Sequence, residues 1–221
     1  MPEPDDPPRY RAQLLATEHW SLLASRSTTQ SEVLVRINMF LTLVSAGLVS
    51  LALVGQAMGF SEMFRLFAIA VLAFICIVGL LTQIRVLNVG SEDLMYVLAM
   101  NRLRGAYLDL DPSVEPYLMA SPYDDYEGMG RTYFFLGPRS SFSQVAGSSM
   151  TFIIVVVSML LGLLGSVIAS TLGGPTWLAV TVGLVVGLLH LLAAMAAGGR
   201  QFFKFWRTYR PLKATPTEER S

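Results

Sequence analysis

Residues 37–58 read INMFLTLVSAGLVSLALVGQAM and residues 66–84 read LFAIAVLAFICIVGLLTQI. Neither stretch contains Asp, Glu, Lys or Arg. At a rise of about 1.5 Å per residue, each helix is long enough to cross a hydrocarbon core of roughly 30 Å. The link between them, marked by Gly59, Ser61 and Glu62, is too short for a domain, so the two predict an antiparallel hairpin. The chain therefore reads as a membrane protein. A second hairpin follows in Met150–Leu172 and Trp177–Ala197, joined by Gly173-Gly174-Pro175-Thr176. The fold class this predicts is all-α: a four-helix transmembrane bundle of two short-turn hairpins, carrying cytoplasmic amphipathic helices.

Composition agrees. Of 221 residues, 53% are hydrophobic and 14% charged, against roughly 25% charged in an average soluble domain. The formal net charge is zero, which gives no electrostatic reason to expect a nucleic acid partner. The single cysteine, Cys76, lies inside the second span, where a thiol behaves as a small hydrophobe. There is no basic segment followed by a short apolar core at the start, so no cleaved signal peptide is expected.

Outside the spans, residues 1–9 are proline-rich and acidic and are expected to be disordered. From Tyr10 to about Val35 leucines recur with helical spacing, with His19 and Trp20 between them; a break is expected near Ser27-Thr28-Thr29. His19 reads as a packing or surface residue, or as a ligand or pH sensor. After the second span (64–84 with its lead-in), Ser91-Glu92-Asp93 resembles a new helix start, and the helix it opens ends at Asp111-Pro112. Residues 111–148 are punctuated by Pro, Gly and Ser and predict turns. Within them Asp124, Asp125 and Glu127 read as a solvated acidic loop, or as oxygen ligands for a divalent ion. Tyr133-Phe134-Phe135-Leu136 is expected at a membrane interface.

Orientation follows from charge. Of sixteen Lys and Arg, only Arg65 falls in or beside the two short turns. The excess of positive charge on the other side makes both termini cytoplasmic. The tail 198–221 interleaves Arg200, Lys204, Arg207, Arg210 and Lys213 with Phe202, Phe203, Trp206 and Tyr209. That pattern predicts contact with anionic lipid headgroups.

Inside the spans the one ionisable side chain besides Cys76 is His190. Gly183, Gly187, His190 and Ala194 share one helical face, and Ser158, Gly162 and Ser166 form a matching small-residue stripe on the third span. Two readings of these faces stand. In one they are a packing seam, with His190 hydrogen-bonded to a neighbouring Ser such as Ser158. In the other they line an oligomeric channel gated by His190 protonation. No catalytic motif such as GxSxG, HExxH, a Walker loop or CxxC occurs, and no metal or cofactor is expected.

LLATEHWSLLASRS at 14–27, MNRLRGAYLDLDPSVEPYLM at 100–119 and PYDD at 122–125 resemble a group of bacterial multi-pass inner-membrane proteins of uncharacterised activity. In its helix–span–span–helix plan, residues 10–110 also resemble the SLATT two-span effector domains, which are proposed to form membrane pores. The first resemblance implies a bacterial inner-membrane location, and the second an oligomeric pore-forming effector. The residues themselves point to a non-catalytic interaction or scaffold module that self-associates or binds a cytoplasmic partner.

Overall fold

A computed structural model describes residues 7–134, 137 and 145–216. Residues 1–6, most of the segment expected to be disordered, lie outside the described residues, as do Phe135, Leu136 and residues 217–221. The described residues are helical with no strand: α1 (Pro7–Met58), α2 (Glu62–Leu110), a 3-10 helix (Pro112–Tyr117), α3 (Tyr126–Tyr133), α4 (Ser149–Thr171) and α5 (Thr176–Thr208). Four of them, α1, α2, α4 and α5, are long and apolar enough to cross a membrane. Between 17% and 33% of the residues in their most apolar windows are buried within the chain. The apolar side chains left exposed along these helices, including Phe74, Ile77, Leu184, Leu189 and Leu192, suit a lipid solvent.

The chain divides into two units. Unit 2, made of residues 32–88 and 142–201, holds the apolar hairpins. The first turn uses Gly59 and Phe60, both with positive φ (63° and 54°). Phe60 is a rare non-glycine in that conformation; its ring meets Phe64 edge-on at 5.3 Å and its amide donates to the Gly55 carbonyl at 3.0 Å. The second turn uses Gly173 at φ 83°. Helix α4 starts where the Ser148 hydroxyl accepts from the Thr151 amide at 3.1 Å. Leu51, Ala68 and Leu72 form a buried core with Phe64, Val71, Leu164 and Val167 against it. Cys76 is buried and free. At the other end of the first hairpin, Arg85 donates to Glu32 at 3.1 Å.

Unit 1 collects residues 1–31, 89–141 and 202–221. Its core is Leu94, Val97 and Leu98 of α2 with Met129 of α3. Tyr133, Phe202, Phe205, Trp206 and Tyr209 pack onto that core.

Two expected helix boundaries are absent. Helix α1 runs unbroken through Ser27-Thr28-Thr29, because the Thr28 hydroxyl turns back to the Ala24 carbonyl at 3.0 Å, satisfying itself without opening the helix. Helix α2 runs unbroken through Ser91-Glu92-Asp93. Asp93 does not cap a helix there; it accepts from Arg26, Gln30 and Tyr133. Helix α2 does end at Leu110, where Asp111 is extended and its side chain accepts from the Ser113 amide ahead of Pro112.

Candidate functional site

In unit 1 three polar centres fix the helices. The first is Asp93. Arg26 Nε donates to Oδ1 at 2.6 Å and Nη2 to Oδ2 at 3.2 Å, while Gln30 and the Tyr133 hydroxyl add bonds of 2.8 and 2.6 Å. Burial opposes ionisation of Asp93, but the bonds from Arg26, Tyr133 and Gln30 outweigh it and hold the carboxyl below its ordinary range. Tyr133, with its hydroxyl spent on Asp93, is raised by burial and by that acceptor. Its hydroxyl and ring contacts lie inside unit 1.

The second centre is Asn101, which has no exposed surface. Its amide nitrogen donates to the carbonyls of Tyr123 (2.8 Å) and Gly128 (3.3 Å), and its oxygen accepts from Thr132 (2.8 Å) and Arg104 (2.7 Å). One side chain thereby pins both ends of the 123–132 segment to α2, with its hydrogen-bonding capacity fully used.

The third centre corrects the reading of the acidic patch. Asp124 is fully buried, not solvated. It accepts from Arg102 Nε at 2.5 Å, the Tyr209 hydroxyl at 2.8 Å and the amides of Leu212 and Lys213 at 3.0 and 2.7 Å. Asp125 caps α3 through the Gly128 amide (2.8 Å) and also receives the amide and hydroxyl of Thr215 at 2.9 and 2.8 Å. Glu127 pairs with Arg131 one helical turn on. With protein donors filling these carboxylates, no cluster of three metal-ligating side chains forms among the described residues. The acids are the receptor for the chain after α5: residues 209–215 form a strap across them. Burial opposes ionisation of Asp124 too, yet Arg102 and the strap amides hold its pKa below the ordinary range. Tyr209 is pushed up to about 12, first by burial and then by donating to Asp124.

The tail residues sort by face. Phe202, Phe205, Trp206 and Tyr209, spaced i, i+3, i+4 and i+7, pack on the unit 1 core. Arg200, Lys204 and Arg207 are exposed on the other side of α5 with Phe203, and Arg210 is exposed beyond the helix. Lys213 is different: its Nζ pairs with Asp109 at 2.9 Å and reaches the Gly105 carbonyl at 3.4 Å. His19 stacks on the Tyr107 ring (centroids 5.9 Å apart, 7° between planes). Burial and then Arg104 lower its pKa.

These carboxylates set a pH dependence. Unfolded Asp takes up its proton near pH 4, while folded Asp93 and Asp124 resist protonation to lower pH. Between those values the unfolded state binds more protons, so stability rises with pH. Their contribution is complete above the unfolded pKa and is lost as pH falls through the folded ones. Thermal unfolding in detergent from pH 7 to about 3 is expected to show this acid loss, with a flatter acid limb in Asp93→Asn.

In unit 2 the small-residue faces meet. A Cβ on Gly162 would lie 2.7 Å from the Gly183 carbonyl oxygen, and one on Gly183 would lie 2.8 Å from the Gly162 oxygen. One on Gly187 would lie 3.0 Å from the Ser158 oxygen. The two backbones touch, which only glycine permits. Ser166 abuts Gly183, and Ala194 is buried farther along. The Ser158 hydroxyl lies 2.8 Å from His190 Nδ1 and 2.6 Å from the Ile154 carbonyl. These distances tie the imidazole to α4.

Sequence reasoning brought out the seam and the exposed cations but missed Asp93, Asn101 and the strap. The aromatic spacing of 202–209 was the available signal for a buried face there. Comparison of the chain with protein-family models, with curated proteins and with solved structures returned no match.

Proposed function

We propose that the chain is a non-catalytic integral protein of the bacterial inner membrane that works as an interaction module. Its four apolar helices form the membrane bundle, both termini lie in the cytoplasm, and unit 1 presents a binding surface there to a protein partner or a second copy. Fifteen of sixteen basic residues lie away from the short turns, which supports this orientation. Arg200, Lys204, Arg207 and Arg210 suit contact with anionic headgroups, at about 1 kcal/mol each near the surface. Lys213, already paired with Asp109, contributes less.

The observation that carries the reading is Trp20. On α1 the half-buried positions are 12, 15, 19, 22, 26 and 29, a seam alternating in threes and fours. Trp20 (71% exposed) and Leu23 lie off that seam beside one another at i, i+3. A large aromatic held outward on a cross-braced helix has the character of an interface anchor. The seam of α4 and α5 supports packing over a gated pore, since backbone contact closes it and Ser158 occupies His190.

A photo-crosslinking side chain at Leu23, activated in intact bacterial membranes, is expected to give one discrete adduct, whose mass distinguishes a second copy from another protein. Trp20→Ala is expected to weaken that association by about 2 kcal/mol, roughly thirtyfold. Absence of any adduct from protein shown to be inserted and folded would sink the proposal.

A further inference from the structure

Arg65 breaks the charge pattern of the chain, being the one basic residue of sixteen in or beside the short turns. It lies in the first turn of α2, at the positive end of the helix dipole, where a cation is disfavoured. Its Nε is buried without a hydrogen-bond partner, and among the described residues it makes no ion pair. Glu62, one turn earlier, is exposed and does not pair with it. A buried, unpaired guanidinium edge is costly, and the surroundings show what would relieve it.

Arg65 lines a cavity of about 580 Å³ inside unit 2, within the range of about 300–1,000 Å³ typical of small-molecule sites. Ser170 and Thr176 line it as well, and Thr176 is the first residue of α5. The beginnings of two helices and a guanidinium thus converge on one end. The walls are apolar, with Leu51, Leu72, Leu163 and Val167 among them. Leu72 lies about two helical turns beyond Arg65 along α2. The end at Arg65 carries the cation, and the rest is apolar apart from Ser166.

We propose that this cavity holds an acyl chain of an anionic phospholipid, with the lipid phosphate on Arg65. Charge complementarity selects the headgroup, and the cavity's place between lipid-length helices selects a bilayer lipid as the occupant. Arg65 gains a charge-assisted bidentate partner, and the walls gain packing that an empty cavity lacks. The inference goes beyond the interaction reading: it concerns a cavity within unit 2 and depends on no protein partner.

The test is native mass spectrometry of the full chain in mild detergent, with phosphatidylglycerol and phosphatidylethanolamine of identical acyl chains. Wild-type protein is expected to retain phosphatidylglycerol preferentially. Arg65→Gln is expected to lose about tenfold in apparent affinity for it, and Arg65→Lys to recover part of the preference. Ala52→Trp, which fills the cavity without touching the charge, is expected to lose both lipids. Helicity and thermal midpoint measured alongside show that the variants are folded. Equal retention of the two lipids by wild-type protein would overturn the proposal, as would unchanged selectivity in Arg65→Gln. Displacement by glycerol 3-phosphate, which carries the anion without the chain, would reassign the site to a soluble phosphate ester and overturn it too.

Discussion

Replacing Asp124 by alanine is expected to release the strap 209–215 and to destabilise unit 1 by about 3 kcal/mol, the upper end of the cost of leaving buried donors without their acceptor. The carboxylate is fully buried and has four donors: Arg102, Tyr209 and the amides of Leu212 and Lys213. Alanine leaves all four without that acceptor at once. Loss of the strap also frees Thr215, which is 3% exposed, from Asp125. Asp124→Asn keeps the volume and one carbonyl acceptor but gives up the charge, so it should fall between wild type and alanine. Hydrogen exchange reads the effect directly, because the amides of Leu212, Lys213 and Thr215 all end on Asp124 or Asp125. Fast exchange at those amides in Asp124→Ala is the expected result. Protection unchanged from wild type would show that the strap is held by something else.

The second large effect is at the glycine crossing of α4 and α5. Gly162→Leu or Gly183→Leu is expected to cost about 3 kcal/mol or more, the upper end of overpacking penalties. A side chain at either position meets backbone carbonyl rather than a flexible side-chain tip, so it cannot be accommodated by a rotamer change. Even alanine is expected to lower the thermal midpoint, although alanine favours helix over glycine by roughly 1 kcal/mol. Gly199→Ala is the control. A Cβ there meets nothing within 4 Å, so the propensity gain stands alone and the variant should be neutral or slightly stabilised. Equal midpoints for Gly162→Ala and Gly199→Ala in detergent would mean that the crossing does not hold the helices together.

These two sites differ in how far sequence exposed them. The crossing was legible because lipid offers no hydrophobic drive between helices, so association depends on small residues at repeating positions, and Gly162, Gly183 and Gly187 repeat at such positions. The spans were legible for a simpler reason, the absence of charge over lipid-length runs. Unit 1 was not legible in the same way. Asp124 acquires its meaning from Lys213, 89 residues later, and Asp93 from Arg26, 67 residues earlier. Local pattern gave Asp93 the look of a helix cap and Asp124 the look of a solvated loop, because the same residue types serve either role until a distant donor is placed beside them. The uninterrupted helix at Ser27–Thr29 shows the complementary failure. Hydroxyl side chains end a helix where they draw its backbone groups into a non-helical turn, whereas the Thr28 hydroxyl donates to the Ala24 carbonyl four residues back, a bond compatible with continued helix.

The strap also imposes an order on biosynthesis. Residues that complete Asp124 and Asp125 come after α5, so they leave the ribosome only once both apolar hairpins have been made. Until then Asp124 has Arg102, 22 residues earlier, but neither Tyr209 nor the Leu212 and Lys213 amides, and Leu94, Val97 and Leu98 lack the aromatics at 202–209 that cover them. Pairings this remote in sequence are slow to form. A translation product stopped before residue 202 would therefore display an uncovered apolar core together with a carboxylate lacking three of its four donors, an unfinished state open to chaperones and proteases.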